Sequence, residues 1–428
     1  MAGCNITQNQ KIASRAIISA LVLAALAFSG MAAAEQFYVN EGSWWRVDGA
    51  FNASTAPIQA AVDAAAAGDS ICVAGGNYYE NVDVDTPRLT LVGAGADVVT
   101  VTAVVTSDVF AVTADWVNIS GFTVRGATCN YMAGIYLNNV NYCNISENNA
   151  SENHHGICLD SSSSNTIKNN TANSNGMNGI CLYHSSSNML MNNTANSNDW
   201  SGIYLESSSS NTLMNNTASN NTHGIRLEYS SSNTIENNTA SNFHTGIFLQ
   251  FQSHYNTLMS NTANSNGCCG IYLMYSRNNI ITCNWVQNNT VLGFYLRYAT
   301  SNNISYNNII ENGNYNTETG GWEWNFYNDQ PDTVEAKHNY WGAGLNKSMI
   351  DASTYGRVTF YPFETDPVPC APTPEEPPAF TAADAAIALQ IAVGSRPPDL
   401  RWDVSGDKRV TSLDALMILQ AAADAIEL

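Results

Sequence analysis

The stretch NTIENNTASNFHTGIFLQ, residues 233–250, decides the fold, because its near-copies recur along the middle of the chain. Each copy contains the phrase G-[IF]-x-L, and the glycines that open this phrase follow one another at a nearly constant spacing. These glycines are Gly134, Gly156, Gly179, Gly202, Gly224, Gly246, Gly270 and Gly293. Eight matches at one period indicate a solenoid.

Each repeat carries the pattern of a β-strand. Ile157 and Leu159 alternate with Cys158 and Asp160, and a period of two places the first pair on one face and the second pair on the other. A helical repeat would need an apolar stripe with the period of an α-helix, and leucine-rich repeats would need more leucine. The pattern therefore predicts an all-β solenoid of stacked parallel strands.

Asparagine recurs at two fixed places in each repeat. One column holds Asn165, Asn188, Asn211, Asn233 and Asn279, and the other holds Asn170, Asn193, Asn216, Asn238 and Asn284. Asparagine tolerates the left-handed backbone conformation and forms local hydrogen bonds at bends. When rungs are stacked at about 4.8 Å, its side chains can also bond along the stack. We therefore predict an asparagine corner after each strand.

The composition excludes several classes of partner. Charged residues make up 12% of the 428 residues, and the net charge is -20, whereas an ordinary protein has about 25% charged residues. Such a surface repels nucleic acid and anionic lipid. Because 44% of the residues are apolar, the low charge does not indicate disorder.

The N-terminal segment 1–34 is typical of an export signal. Lys11 and Arg15 precede an apolar run over 16–30, and small residues follow at 32–34. The alternative is a membrane anchor, but the run is short for a span of about 20 residues. We expect a secreted or cell-surface protein with no membrane span in the mature chain. Nine cysteines remain, which cannot all pair, and the sequence assigns no disulfide.

The repeat motif GIxLxxSxxNTIxxNxxxxN resembles the right-handed parallel β-helix repeats of NosD-type and pectin-lyase-like proteins. The segment 56–84 resembles the start of that fold, where an amphipathic helix caps the open end before the first rung. The segments AKHNYWG (336–342) and GRVTFYPF (356–363) resemble its end. The resemblance implies a right-handed parallel β-helix over 35–365 with an N-terminal helical cap.

Two outward columns of the repeat are candidates for a binding surface. The column two positions after each glycine contains five aromatic residues, and the column four positions after contains three acids. Aromatic rings can stack on sugars and carboxylates can bind hydroxyls, and folds of this type usually use this face for polysaccharide. The predicted substrate-binding residues are Tyr136, Asp160, Tyr204, Phe248, Tyr272 and Tyr295. The alternative is structural, because aromatic residues favour strands and pack on neighbouring rungs.

Catalysis would require acids in a suitable arrangement. Glycoside hydrolysis uses two carboxylates across a cleft, and Glu206 and Glu228 fall on adjacent rungs, with Arg226 beside them. These three residues are the candidate catalytic group. The DPHD motif of alginate epimerases and the GHG motif of polygalacturonases are absent. The loop 314–332 departs from the repeat, and its Trp322, Trp324 and acids predict either a second sugar site or a cover for the stack.

The NosD resemblance also implies copper as an alternative ligand. The candidate histidines are His154, His155, His184, His223 and His244. His155 and His223 share a column but lie three rungs apart, which is about 14 Å at strand spacing. The sequence shows no repeated pair of soft ligands with metal geometry, so solvated corner histidines are the simpler interpretation.

The C-terminal region has a different composition. The segment 366–378 is proline-rich and predicts a spacer. Beyond it, TAADAAIALQIA (381–392) and TSLDALMILQAA (411–422) align with each other, Thr381 with Thr411 and Gln390 with Gln420. A calcium loop with ligands at positions 1, 3, 5, 7 and 12 is predicted from Asp403, Ser405, Asp407, the carbonyl of Arg409, and Asp414.

The segment 379–428 resembles a dockerin, a small all-α module of two loop–helix units that binds a cohesin module. Two features depart from that pattern. Lys408 stands where glycine normally makes the turn, and the ligand positions of a degenerate first loop are occupied by Thr373, Glu375 and Pro377. The resemblance therefore implies one Ca²⁺ site and a cohesin-like protein partner.

The sequence thus favours a secreted or cell-surface β-helix that binds polysaccharide and attaches through its dockerin-like module. One alternative is a polysaccharide-active enzyme on the same scaffold, acting as a lyase, an epimerase or a glycoside hydrolase. The others are a structural surface protein and a copper-handling NosD-type protein.

Overall fold

The computed structural model describes residues 34–318, 321–343, 356–373, 382–393 and 410–422. The predicted export signal, up to residue 33, lies outside the described residues, as do the predicted calcium ligands Asp403, Ser405, Asp407 and Arg409. The chain divides into two compact units, Met1–Pro372 and Thr373–Leu428.

The first unit is built almost wholly of short strands. Its N-terminal elements are β1 (Gln36–Asn40), β2 (Ser43–Arg46), β3 (Asn52–Ala53), α1 (Pro57–Ala64), β4 (Ser70–Val73), β5 (Gly76–Tyr79), β6 (Val82–Val84), β7 (Thr90–Gly93), β8 (Val99–Thr102), β9 (Phe110–Val112), β10 (Asn118–Ser120) and β11 (Thr123–Arg125). The central repeats contribute β12 (Ala133–Asn138), β13 (Asn144–Ser146), β14 (His155–Asp160), β15 (Thr166–Lys168), β16 (Ile180–Tyr183), β17 (Met189–Met191), β18 (Ser201–Glu206), β19 (Thr212–Met214), β20 (His223–Glu228), β21 (Thr234–Glu236), β22 (Thr245–Gln250) and β23 (Thr257–Met259). The last elements are β24 (Cys269–Met274), β25 (Ile280–Thr282), β26 (Trp285–Gln287), β27 (Leu292–Arg297), β28 (Asn303–Ser305), β29 (Asn308–Ile310), β30 (Tyr315–Asn316), β31 (Gly321–Trp322), β32 (Phe326–Asp329), β33 (Val334–Glu335) and β34 (Val358–Thr359).

The strands stack into two long sheets, with shorter ones between them. The first long sheet, here called the face sheet, has 11 strands in the order β32-β27-β24-β22-β20-β18-β16-β14-β12-β9-β6. The second sheet has 14 strands and runs β28-β25-β23-β21-β19-β17-β15-β13-β10-β7-β4-β1-β2-β3. Neighbouring rungs in both sheets pair in parallel, except in the N-terminal hairpins of β1, β2 and β3. The chain is therefore a parallel β-solenoid, which confirms the all-β prediction.

The glycines of the repeat line up along the stack, as predicted. At Gly134, Gly156, Gly179, Gly224, Gly246 and Gly270, a Cβ would meet the carbonyl oxygen of the next glycine in the column. At Gly202 an added Cβ would lie 2.7 Å from both the Ala195 carbonyl oxygen and the Ala218 Cβ. Glycine is needed here because the chain enters the face sheet too close to the interior for a side chain.

Buried asparagine ladders run along the solenoid. Side-chain amides in the two predicted columns bond from rung to rung, as between Asn193 Nδ2 and Asn216 Oδ1 at 3.0 Å. The structure adds a third ladder, formed by Asn153, Asn175, Asn198, Asn221, Asn242, Asn266, Asn289, Asn312 and Asn325. The ladders satisfy backbone groups at the corners, as a dry interior requires.

The left-handed residues at the corners differ from those predicted. The positive φ angles belong to the residue before the ladder asparagine, such as Asn192 at 55° and Asn215 at 56°. These residues are exposed, whereas the ladder residues Asn193 and Asn216 are buried. One residue makes the bend so that the next can turn its amide into the interior.

The helix α1 packs against β1, β2 and β6. Its apolar side, with Ile58, Ala61 and Val62, joins the main core. The carboxylate of Glu80 accepts hydrogen bonds from the backbone N–H groups of Ile58, at 3.1 Å, and Gln59, at 2.8 Å. Such a carboxylate satisfies donors that the first turn of a helix leaves open. The helix lies where the cap was predicted, and its role as a cap stays a prediction.

A disulfide that the sequence did not assign links Cys283 to Cys370. The segment around Cys370 lies on the solenoid, because Val368 is buried and its N–H donates to Asn308 Oδ1 at 2.7 Å. The segment 366–372, assigned to the spacer from its prolines, is therefore part of the first unit.

The second unit contains α2 (Ala382–Ala392) and α3 (Ser412–Ala422). The two helices coincide with the two segments of the C-terminal region that align with each other in sequence. Their shared core contains Ala385, Ala388, Ala415 and Ile418. In the part of the chain that the structure describes, no helix is long and apolar enough to cross a membrane.

Candidate functional site

The two outward columns of the face sheet are in register, as predicted. The column two positions after the glycines runs Tyr136, Cys158, Cys181, Tyr204, Arg226, Phe248, Tyr272, Tyr295 and Tyr327. The column four positions after runs Asn138, Asp160, Tyr183, Glu206, Glu228, Gln250, Met274, Arg297 and Asp329. We call this surface the outer face.

The candidate catalytic residues meet at the middle of the outer face. The Tyr204 hydroxyl lies 3.0 Å from Glu206 Oε2 and 2.9 Å from Glu228 Oε2. Arg226 Nη2 and Gln250 Nε2 donate to the same Glu228 oxygen at 3.1 and 3.0 Å. A tyrosine hydroxyl carries one proton and can donate to only one carboxylate at a time. Glu228 therefore keeps the donors of Arg226 and Gln250, whereas Glu206 competes with Glu228 for the single Tyr204 proton.

The Arg226 guanidinium is fixed between two rings. Its Cζ lies 5.4 Å from the centroid of the Trp200 ring and 5.3 Å from that of the Tyr204 ring. Both distances are within the range of cation–π attraction. The Arg226 side chain is 15% exposed, and its Nε has no hydrogen-bond partner among the described residues. Burial raises the pKa of Tyr204, and its hydrogen bond to Glu228 raises it further, so the hydroxyl stays protonated as a donor.

A row of buried polar side chains runs beside these columns, one position before each glycine. It contains His155, Asn178, Ser201 and His223 on four successive rungs. Each has a side-chain atom that no hydrogen-bonding group of the described chain reaches. The ring of His223 lies 5.5 Å from the Phe248 ring, which places the row on the outer side of the sheet.

Both histidines of this row are neutral at pH 7. Burial lowers the pKa of His155 to about 4, with a smaller effect from His154. Burial also lowers the pKa of His223 to about 3, and the positive charge of Arg226 lowers it further.

Three aromatic residues of the outer face, Phe248, Tyr272 and Tyr295, stack on one another. The ring centroids of Phe248 and Tyr272 are 4.5 Å apart, and those of Tyr272 and Tyr295 are 4.4 Å apart, with interplanar angles of 6° and 11°. Neighbouring rings therefore cover the ring faces that the sequence interpretation assigned to sugars, and the stack presents ring edges and hydroxyls. Such stacking is the geometry that close, offset aromatic pairs prefer.

Tyrosine hydroxyls elsewhere on the outer face also pair with acids. Tyr136 donates to Asp160 Oδ2 at 3.3 Å, and Tyr295 donates to Asp329 Oδ2 at 3.0 Å. Burial raises the pKa of both tyrosines. Hydroxyl–carboxylate pairs thus lie at both ends and at the middle of the outer face.

Four of the five histidines proposed for copper lie in two pairs. The rings of His154 and His155 are 4.7 Å apart, and those of His223 and His244 are 5.2 Å apart. Among the described residues, no three His, Cys, Asp or Glu side chains come close enough to hold a metal ion.

Three residues of the site escaped the sequence interpretation. Trp200 stands two positions before Gly202, where no other repeat has a tryptophan, so periodicity could not identify it. Tyr327 and Asp329 lie inside the segment 314–332 and extend both columns by one rung. The sequence did contain a signal for Tyr327 and Asp329, because FYND at 326–329 continues the pattern FYLR of 294–297. The loop also places Trp324 beside Tyr327, with ring centroids 5.4 Å apart.

Comparison with solved structures shows the fold. The Dettilon tailspike protein (gp208) aligns with a TM-score of 0.52 and 16% identity, over 71% of this chain and 64% of that chain. The enzymatically active domain of tailspike protein 2 from bacteriophage CBA120 aligns with a TM-score of 0.50 and 14% identity, over 60% of this chain and 44% of that chain. The chain thus spans less than two thirds of the length of either tailspike.

Sequence comparison gives the family. No curated protein matches the sequence significantly. The family model described as periplasmic copper-binding protein (NosD) matches residues 62–243 and 215–328. These ranges cover more than half of the chain and include most rungs of the solenoid. The chain therefore belongs to the NosD family.

Proposed function

We propose that this protein is exported, binds polysaccharide along its outer face, and is attached to a partner through its dockerin-like unit. The observation that carries the proposal is the hydrogen-bonded group of Tyr204, Glu206, Glu228 and Arg226, at the centre of a continuous outer face. The periplasmic description of the family supports a location outside the cytoplasm.

Several features of the outer face suit sugars. Carboxylates already bound to tyrosine hydroxyls can accept hydroxyl groups of a ligand in the same geometry. Trp200 is 40% exposed, so part of its ring is accessible to a ligand. Parallel rungs repeat at about 4.8 Å, close to the length of one pyranose unit, so an extended glycan along the stack would place about one sugar beside each rung.

Replacing Glu228 with glutamine should weaken polysaccharide binding about tenfold, because the charge that holds Arg226 and Tyr204 in place is lost. The measurement is titration calorimetry of the full chain with a panel of neutral, amino-sugar and uronate oligosaccharides. Glu236→Gln is the matched control, because Glu236 occupies the outward position of β21 in the second sheet. If the Glu228→Gln variant and the unchanged protein bound every glycan with equal affinity, the assignment of polysaccharide binding to this site would be contradicted.

The second candidate function is enzymatic. It is favoured by the Tyr204 hydroxyl, which Glu206 and Glu228 share. Two carboxylates this close match a retaining glycoside hydrolase better than an inverting one, which leaves room for a water between them. The same panel, assayed for new reducing ends and unsaturated products, tests this. Products that disappear in Glu206→Gln would assign catalysis to the pair, and intact glycans would leave binding as the function.

The dockerin-like unit is proposed to hold one Ca²⁺ through Asp403, Ser405, Asp407, the Arg409 carbonyl and Asp414, and to bind a cohesin-like module. Two described features support this proposal. The first is that the helices α2 and α3 coincide with the two aligned C-terminal segments, as two loop–helix units require. The buried Asp414 lies in the first turn of α3 and accepts the Thr411 N–H at 2.7 Å, which fixes its carboxylate at the end of the loop.

Calcium titration of the full chain should show one ion per molecule. Asp407→Ala should abolish the heat of binding, because it removes a charged oxygen ligand. Glu375→Ala tests the degenerate first loop and should bind one ion like the unchanged protein. Two ions per chain, or none, would contradict the proposed loop.

A further inference from the structure

The outer face carries more negative than positive charge, and this imbalance bears on the kind of glycan it accepts. Its columns contain four acids, Asp160, Glu206, Glu228 and Asp329, and two cations, Arg226 and Arg297.

Each arginine of the outer face is already paired. Arg226 Nη2 lies 3.1 Å from Glu228 Oε2, and Arg297 Nε lies 3.7 Å from Asp329 Oδ2. The side chains of Arg226 and Glu228 are only 15% and 17% exposed, so water screens this pair weakly. Neither guanidinium can turn to a carboxylate of a ligand without weakening its own pair.

The remaining two acids have only hydroxyl donors among the described side chains. Asp160 accepts from Tyr136 at 3.3 Å and from Ser161 at 2.9 Å. Glu206 shares the single Tyr204 proton with Glu228, which also attracts it. Two uncompensated negative charges therefore remain on the described outer face, two rungs apart, which is about 10 Å.

The row of buried polar side chains beside the columns contains further atoms on these rungs that have no hydrogen-bond partner among the described residues. Ser201 and His223 pair in register on the strands that carry Glu206 and Glu228. Both are more than nine-tenths buried, and no group in the described part of the chain bonds Ser201 Oγ or His223 Nδ1. Buried polar atoms are rarely left unsatisfied. His223 adds no positive charge, because it is neutral at pH 7 for the reasons given above.

A polyuronate would bring one carboxylate per sugar next to these two acids. The repulsion would be strong because the outer face is partly buried and the local dielectric constant is low. An ammonium group has the opposite effect, since it supplies both the missing positive charge and three hydrogen-bond donors. Asp160 and Glu206 can each take one ammonium group from sugars two units apart along the stack.

We propose that the polysaccharide recognised by the outer face carries free amino groups, and that Asp160 and Glu206 bind its ammonium groups. This inference rests on the proposed polysaccharide function and adds the chemical class of the glycan.

The test is titration calorimetry of the full chain with three hexasaccharides: glucosamine, N-acetylglucosamine and galacturonate. We expect the glucosamine hexamer to bind roughly tenfold more tightly than the acetylated one at low salt, and this ratio should fall as salt is added. The galacturonate hexamer should bind most weakly. A galacturonate affinity equal to or above that of glucosamine would overturn the proposal.

Variants separate a specific site from general attraction to a chain with a net charge of -20. Glu206→Gln and Asp160→Asn should each reduce the ratio of glucosamine to acetylated affinity about threefold, whereas Glu236→Gln in the second sheet should preserve it. A ratio unchanged in both outer-face variants would assign the preference to overall charge and overturn the proposal. If none of the glycans binds, the polysaccharide function itself fails, which is a different result from binding with the wrong preference.

Discussion

Replacing Asn216 with alanine is expected to lower the free energy of unfolding by about 4 kcal/mol. Asn216 Oδ1 accepts from the N–H and the side-chain amide of Asn193, both at 3.0 Å. Its own amide donates to the carbonyls of Leu190 and of the Asn238 side chain, also at 3.0 Å. Alanine removes all four interactions in a place where water cannot replace them, so a buried backbone N–H loses its acceptor.

Urea unfolding followed by far-ultraviolet circular dichroism measures this effect. The matched control is Asn215→Gly, one residue earlier, at an exposed corner with a φ of 56°. Glycine adopts that conformation without strain, so we expect a change of no more than about 0.5 kcal/mol. An Asn216→Ala protein as stable as the control would show that the ladders contribute little.

Acidification from pH 7 to pH 4 is expected to destabilise the fold through two buried histidines, by about 3 kcal/mol each. The pKa of His155 is lowered to about 4 and that of His223 to about 3. Their pKa in the unfolded chain is the ordinary value of about 6.5. Below pH 6.5 the two histidines therefore bind protons in the unfolded chain, whereas in the folded chain they stay neutral until the pH approaches their lowered pKa values. Their contribution to stability is complete above that pH and is lost as the pH falls toward the folded values.

The histidine contribution is measured as a difference between proteins, because other groups titrate in the same range. Burial raises the pKa of Glu80 and of Asp108, and such groups gain stability as the pH falls. The variant His155→Gln/His223→Gln should therefore lose less stability between pH 7 and pH 4 than the unchanged protein does. Replacing the exposed His184 with glutamine serves as a control. Parallel pH profiles for the double variant and the unchanged protein would contradict the prediction.

The sequence was sufficient to predict the register of the site because the repeat is regular. Once the repeat glycines are aligned, Glu206 and Glu228 must fall on adjacent rungs, and the structure pairs them directly. The same alignment failed after Gly293, where the insertion 314–332 breaks the period. Tyr327 and Asp329 continue the columns there but were recognised only in three dimensions.

The chemistry of the outer face was less predictable than its register. A list of aromatic positions suggested ring faces open to sugars, but Phe248, Tyr272 and Tyr295 stack on one another. Ring orientation depends on the side chains one rung away, about 4.8 Å from each ring. That spacing is close enough for near-parallel stacking, so each ring covers its neighbour.

The sequence by itself determined the solenoid, its rung length, two of its asparagine columns and the order of side chains along each outward column. Each of these follows from a local period, which the chain repeats often enough to leave no alternative. Only the tertiary structure decided that Glu206 and Glu228 compete for one hydroxyl, that Trp200 covers Arg226, and that Cys283 is joined to Cys370. These contacts depend on the directions and distances between side chains that are far apart in the chain. A hydrogen bond or a ring contact requires positions correct to within a fraction of an ångström, whereas periodicity fixes only which residues are neighbours.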